Sequence, residues 1–179
     1  MINAFLELNA DDEGAAAVGS TESTLKPTPY KHPKHPLTVL WDLPGAGTLN
    51  FPVDSYLRRI DVNKYDCFLL ITATRFSEAT LKVAKGIANH KKNFFMIRTK
   101  LCIEMENDKR AHPKTHNEET LLTKLREDIK KNLNDLYQED STFLIDSYER
   151  SLTFINLLKL WKPTFQKKNM KPSYYRLDV

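Results

Sequence analysis

The stretch Val39-Leu40-Trp41-Asp42-Leu43-Pro44-Gly45 reads as an apolar strand that ends on a carboxylate, a turn and a glycine. Its core, Val39-Leu40-Trp41, does not alternate with polar residues. Neither do Phe68-Leu69-Leu70-Ile71, Phe94-Phe95-Met96-Ile97 and Phe143-Leu144-Ile145. Strands buried on both faces have this pattern, and strands of parallel sheets are buried on both faces. Run length alone leaves buried helix open, but β-branched and aromatic content favours strand. Strands are therefore expected over residues 37–42, 65–72, 93–99 and 141–146.

Helical patterns separate these runs. Leu121, Leu122, Leu125, Ile129, Leu133 and Leu136 fall three or four apart and form one apolar stripe. Asn117 with Glu118-Glu119 places a cap and acids at the start of that helix. Leu81, Ala84, Ile87 and Ala88 mark a second helix opened by Ser77, and Tyr56, Leu57 and Ile60 a short one. Leu152, Ile155, Leu158 and Leu160 suggest another, stopped near Pro163. Parallel strands need crossovers of about a dozen residues or more, usually helical. The alternation thus predicts a parallel α/β sheet with helices on both faces. A further strand through residues 23–30 would lie on an edge, because its prolines cannot donate to a ladder. The polar stretch 105–115 reads as a charged loop.

With 179 residues, 41% hydrophobic and 28% charged, the chain can build one ordinary core. The net charge of +4 is spread among interleaved acids and bases, not gathered into the patch a nucleic-acid binder needs. Two cysteines, Cys67 and Cys102, make neither a disulfide framework nor a zinc site. No apolar run approaches the ~18–20 residues of a membrane span, and the start is too short for a signal peptide. An intracellular, cytoplasmic domain is expected.

Three motifs bear on chemistry. Asp42 ends a strand where ligands of open α/β sheets bind. In nucleotide hydrolases such an aspartate holds Mg²⁺, and the following glycine, here Gly45, meets the γ-phosphate. An aspartate that simply ends a strand before a turn has the same spacing, so the motif alone leaves both readings open. Arg98-Thr99-Lys100-Leu101-Cys102 ends another strand. GTP-binding domains carry Asn/Thr-Lys-x-Asp at this place, where the lysine packs on the purine and the aspartate accepts from guanine. Cys102 stands at the aspartate's position, and a thiol is a weak acceptor. Gly14-Ala15-Ala16-Ala17-Val18-Gly19-Ser20-Thr21 has the glycine spacing of a phosphate loop, but Ser20 replaces its lysine and no strand precedes it. It reads as a flexible loop. The five histidines are scattered and read as solvated loop residues.

Taken together, these segments resemble the immunity-related (interferon-inducible) GTPases. The likeness lies in Asp12-Glu13-Gly14-Ala15-Ala16, Thr28-Pro29-Tyr30-Lys31-His32-Pro33, Leu40-Trp41-Asp42-Leu43-Pro44-Gly45 and Asn50-Phe51-Pro52. It continues through Ile71-Thr72-Ala73-Thr74-Arg75-Phe76, Lys91-Lys92-Asn93-Phe94-Phe95 and Arg98-Thr99-Lys100, in order. The resemblance implies a Ras-like sheet over residues 1–162, with 163–179 as a divergent tail. It also implies GTP or GDP with Mg²⁺ as ligands, and GTP hydrolysis as the reaction. Partners would be related GTPases or a second copy, met through the nucleotide face. Peripheral attachment to internal or vacuolar membranes is implied as well.

Site roles carry over residue by residue. Asp42 and Gly45 match the metal and γ-phosphate motif, Thr24 is the switch hydroxyl offered to Mg²⁺, and Glu22 matches a switch glutamate that faces a partner's nucleotide. Thr99 and Lys100 match the base motif, while Asp146-Ser147 stands where a Ser-Asn supports the base. The family's first strand and phosphate loop precede a Ser-Phe-Ile-Asn-Ala-Leu segment, which here reads Met1-Ile2-Asn3-Ala4-Phe5-Leu6. The resemblance thus implies a G domain without that strand and loop, defective in nucleotide binding and hydrolysis. A nucleotide-free module that modulates related GTPases, or a non-functional truncated product, are the alternatives.

Overall fold

The structure is a computed structural model that describes residues 1–18, 24–48, 50–73, 75–146 and 173–178. It contains a six-stranded sheet of β1 (Thr28–Lys31), β2 (Thr38–Leu43), β3 (Cys67–Thr72), β4 (Asn93–Arg98), β5 (Thr142–Leu144) and β6 (Ser173–Asp178). The order across it is β1-β2-β6-β3-β4-β5. Only the β1–β2 pair is antiparallel. The four apolar runs became β2, β3, β4 and β5, and β1 takes the edge, as its proline, Pro29, requires. The last strand is shorter than expected, although the ladder continues one step as Ile145 N donates to Arg98 O at 2.9 Å.

The sheet is not left open between β2 and β3. There β6, from the stretch the sequence assigns to a divergent tail, runs parallel to both neighbours. Tyr175 pairs in register with Leu40 on one side and Cys67 on the other, and Leu177 with Asp42 and Leu69.

Two apolar clusters sandwich the sheet. On one face Leu40, Cys67, Leu69, Phe95, Ile97 and Phe143 meet α1 (Ile2–Leu6) through Ile2, Phe5 and Leu6. On the other, Phe68, Leu70, Met96 and Leu144 meet α2 (Val53–Arg59), α3 (Glu78–Asn89) and α5 (Glu118–Leu133). The helix starts follow from their caps. Ser77 Oγ accepts from Thr80 N at 3.1 Å, and Asn117 Oδ1 accepts from Thr120 N at 2.8 Å. Glu118-Glu119 and Lys130-Lys131 sit at the favourable ends of the α5 dipole. Gly86 leaves room for α2 on α3, since a Cβ there would fall 2.1 Å from Leu57 Cδ1.

Residues 105–115, expected as a loop, fall mostly within a helix, α4 (Leu101–Ala111). Only Leu101 of it is buried, so it lacks the apolar stripe that marks a helix in sequence. Its polar face is laced instead: Arg110 pairs with Glu106 at 3.3 Å and Asp108 with His112 at 3.3 Å, both one turn apart. His116 closes on Asp108 at 2.6 Å, and this contact leads in holding the Asp108 carboxyl below its usual range. His32 is likewise no solvated loop residue; it is buried, its Nδ1 accepts from Lys34 N at 3.1 Å, and its ring meets that of His35. The helix expected around residues 152–160 lies outside the described residues.

The fully buried Phe68 stands between Tyr65 and the helices of its face. Phe68→Ala is expected to cost ~3–5 kcal/mol in urea denaturation, and Ser77→Ala or Asn117→Ala about 1 kcal/mol each. A loss at Phe68 no larger than that at either cap would contradict this arrangement of the core.

Candidate functional site

Because β2, β3 and β4 are parallel, their carboxyl ends emerge on one edge of the sheet. Asp42 lies at that end of β2, and Thr99 and Lys100 immediately follow β4. Three strand spacings separate β2 from β4, roughly 14 Å. A ligand with a base at one end and phosphates at the other can span that crevice.

At the β2 end, Thr24 Oγ1 donates to Asp42 Oδ2 at 2.5 Å in a half-buried setting. This single bond joins the segment before β1 to the strand that carries the aspartate. Burial pushes the Asp42 carboxyl above its usual range; the Thr24 hydroxyl, the amino-terminal ammonium and the Leu43 N–H oppose that shift. The same ammonium is lowered by its own burial, with the Asp42 charge opposing. Tyr30 is raised, first by burial and then by the charge of Asp42. A hydroxyl beside a carboxylate is a pair of hard oxygen donors, which suits Mg²⁺.

Gly45 is half-buried in the turn after β2. The turn is held from below by the buried Tyr56, whose hydroxyl donates to Pro44 O at 2.9 Å. Beyond it Gly47 N donates to Phe51 O at 2.9 Å. Gly47 has φ +86°, a left-handed conformation that disfavours any side chain. Tyr56 and Gly47 as anchors escape sequence reading, since Tyr56 appears there only as a member of an apolar helix stripe.

At the β4 end, Thr99 is buried and its N–H donates to Thr72 O at 2.8 Å, tying the ends of β3 and β4 together. Lys100 is exposed, sits at φ +61° and precedes α4. Cys102 N donates to Asp146 Oδ2 at 3.4 Å, and Asp146 is buried. A carboxylate is therefore present beside the expected base-reading position, but it comes from the end of β5. Its sequence signal is an aspartate closing the apolar run Phe143-Leu144-Ile145. Arg98, next to this motif, is engaged structurally: Nη2 donates to Glu104 Oε1 at 2.8 Å, and Nη1 lies 3.8 Å from Asp128. The structure thus brings Thr24, Asp42 and Gly45 to one end of the edge and Thr99, Lys100 and Asp146 to the other. Glu22 lies outside the described residues.

One further feature does not belong to this edge. A cavity of about 540 Å³ opens near the opposite ends of β3 and β4, lined by Cys67, Lys92, Asn93, Phe94 and Ser141. It faces away from the strand ends where α/β ligands bind. Among the described residues no group of three or more His, Cys, Asp or Glu side chains is placed to hold a metal ion. No described helix is long and apolar enough to cross a membrane.

A mainly parallel, helix-covered sheet with these residues on its carboxyl edge is an α/β domain with its candidate residues where ligands of such sheets bind. The chain belongs to the interferon-inducible GTPase family: the family model described as Interferon-inducible GTPase (IIGP) matches residues 1–168. Among curated relatives, T-cell-specific guanine nucleotide triphosphate-binding protein 2 of Mus musculus is 38% identical over 151 residues, 84% of this chain and 36% of the relative. Interferon-inducible GTPase 1 of Mus musculus is 40% identical over 125 residues, 70% of this chain and 30% of the relative. Interferon-inducible GTPase 5 of Rattus norvegicus is 36% identical over 127 residues, 71% of this chain and 27% of the relative. The chain spans about a third of the length of the relatives it matches.

Asp42 allows a pH test with a definite sign. A carboxyl whose folded pKa is raised holds its proton more tightly in the folded state. Its contribution is complete below the ordinary carboxylate range and is lost as pH rises through the raised value. Asp42→Asn should therefore stabilise the chain near neutral pH, and the advantage should shrink as pH falls below that range. Thr24→Ala should move the Asp42 titration further upward. Urea denaturation across this pH range and carboxyl NMR titration check both, and a neutral-pH loss of stability in Asp42→Asn would show that the charge is favoured where it lies.

Proposed function

We propose that this chain is the nucleotide-face portion of an interferon-inducible GTPase, and that as a 179-residue polypeptide it binds guanine nucleotide too weakly to sustain hydrolysis. Support for the first part is the common sheet edge shared by Asp42, Thr24 and Gly45 at one end and Thr99 and Lys100 at the other. In this reading Asp42 and Thr24 would hold Mg²⁺, which when bound neutralises phosphate charge. Gly45 leaves the backbone open to a terminal phosphate, and the Lys100 stem would cover the base.

The observation that carries the second part is the Cys102–Asp146 contact. Guanine recognition by an aspartate needs a carboxylate aimed outward from the start of the helix after β4. Here that position holds a thiol, and the neighbouring carboxylate is buried and bonded to Cys102 N. Losing one buried polar match of this kind costs roughly a few kcal/mol of discrimination.

The role left to such a face is contact with related GTPases or a second copy, with Glu22 as the residue that would meet the partner's nucleotide. Association with internal or vacuolar membranes would then follow from those partners. Calorimetry of the purified chain with GTP and with GDP, in excess Mg²⁺, is the test. No saturable heat is expected at micromolar protein. Binding at micromolar affinity or better would show that the present residues suffice and would overturn the weak-binding reading.

A further inference from the structure

Helix α4 is held to the domain almost wholly by polar contacts. Its first residue, Leu101, joins an apolar cluster; no later residue of α4 joins either one. Helices α3 and α5, by contrast, bury apolar residues along their length, Val83, Ala84 and Ile87 in one and Leu125, Ile129 and Leu133 in the other. Beyond Leu101 three polar contacts fix α4: Cys102 N on Asp146, Glu104 on Arg98, and Asp108 on His116. A segment with so little buried apolar surface opens locally, at a lower free energy than the whole domain.

Arg98 is the contact with two possible arrangements. It ends β4 and is buried, and its Nε has no hydrogen-bond partner among the described residues. Nη2 donates to Glu104 Oε1 of α4 at 2.8 Å, whereas Nη1 lies 3.8 Å from Asp128 Oδ2 of α5, beyond hydrogen-bond distance. Removing Glu104 alone would leave a buried charge without a close partner, which is costly. Asp128 is in place to take that charge over, on a helix anchored by Leu125 and Ile129. One cation thus faces two carboxylates, one on a loosely attached helix and one on a firmly attached helix.

We propose that Arg98 is a two-position latch for α4. Closed on Glu104, it keeps the helix docked; closed on Asp128, it lets the helix swing out about Leu101 and the left-handed Lys100 before it. Docked α4 keeps Cys102 N on the Asp146 carboxylate, and released α4 withdraws that donor. Release therefore turns the carboxylate over to the base end of the strand edge. That consequence rests on reading the edge as a guanine-nucleotide face; the latch itself does not.

Native-state amide hydrogen exchange of the full chain tests the latch without a ligand. Amides of α4 beyond its first turn should exchange through a smaller opening than those of β3 and α5. Glu104→Gln should raise their exchange about tenfold or more. Asp128→Asn should lower it about threefold. Exchange in β3 should stay unchanged in both variants. A bridge that only stabilises the fold would give faster α4 exchange in both, and that result overturns the proposal. So does α4 exchange that follows β3, since the helix then opens only with the whole domain. Millimolar GDP with Mg²⁺ should raise α4 exchange further in Glu104→Gln, because a ligand of the released state shifts the population toward it. With the opposite signs intact, the lack of a GDP effect would overturn the nucleotide reading of the edge and leave the latch standing.

Discussion

The fold depends on satisfying the backbone between β2 and β3. Two parallel strands with apolar residues on both faces cannot end at an open gap, because each presents a row of N–H and C=O groups to it. In this molecule β6 closes that gap and makes one sheet of two halves, β1-β2 and β3-β4-β5. Each apolar cluster then runs continuously from β2 to the strands beyond it, with Leu40 joining Leu69 on one face and Leu43 joining Leu70 on the other.

The candidate site is a consequence of the same pairing. Parallel strands deliver their carboxyl ends to one edge, so residues far apart in sequence, Asp42 and Lys100 among them, share that edge of the sheet. Locally each end is fixed by a few polar contacts: the Thr24 hydroxyl on Asp42, Tyr56 beneath Pro44, Thr99 on Thr72, Cys102 N on Asp146. They cluster where strands give way to turns, because backbone groups leaving the ladder need new partners there. The half-buried Asp42 carboxyl is raised by desolvation, and the Thr24 hydroxyl, the amino-terminal ammonium and the Leu43 N–H oppose that shift.

Membership in the interferon-inducible GTPase family gives these contacts their context, while the departures give the chain its individuality. The bond from Cys102 N to the Asp146 carboxylate ties the start of α4 to the end of β5.

Much of this was legible in the residues. Continuous apolar runs specify parallel strands, and stripes at three- and four-residue spacing behind Ser77 and Asn117 specify α3 and α5, because periodicity and capping are local properties. The aspartate and glycine after β2, and the threonine and lysine after β4, follow from strand ends alone. Helix α4 was not legible, since a helix laced by surface ion pairs carries no apolar period. Nor was the burial of His32, or the hold of Tyr56 on Pro44, each of which depends on a neighbour distant in sequence or on a turn's shape. Above all, nothing in Ser173-Tyr174-Tyr175-Arg176-Leu177-Asp178 announces a central strand. The sequence by itself determined the elements and the chemistry at their ends; only the tertiary structure decided which segment lies between β2 and β3, because that choice is made by unpaired backbone groups on two other strands and not by the side chains of the strand that meets them.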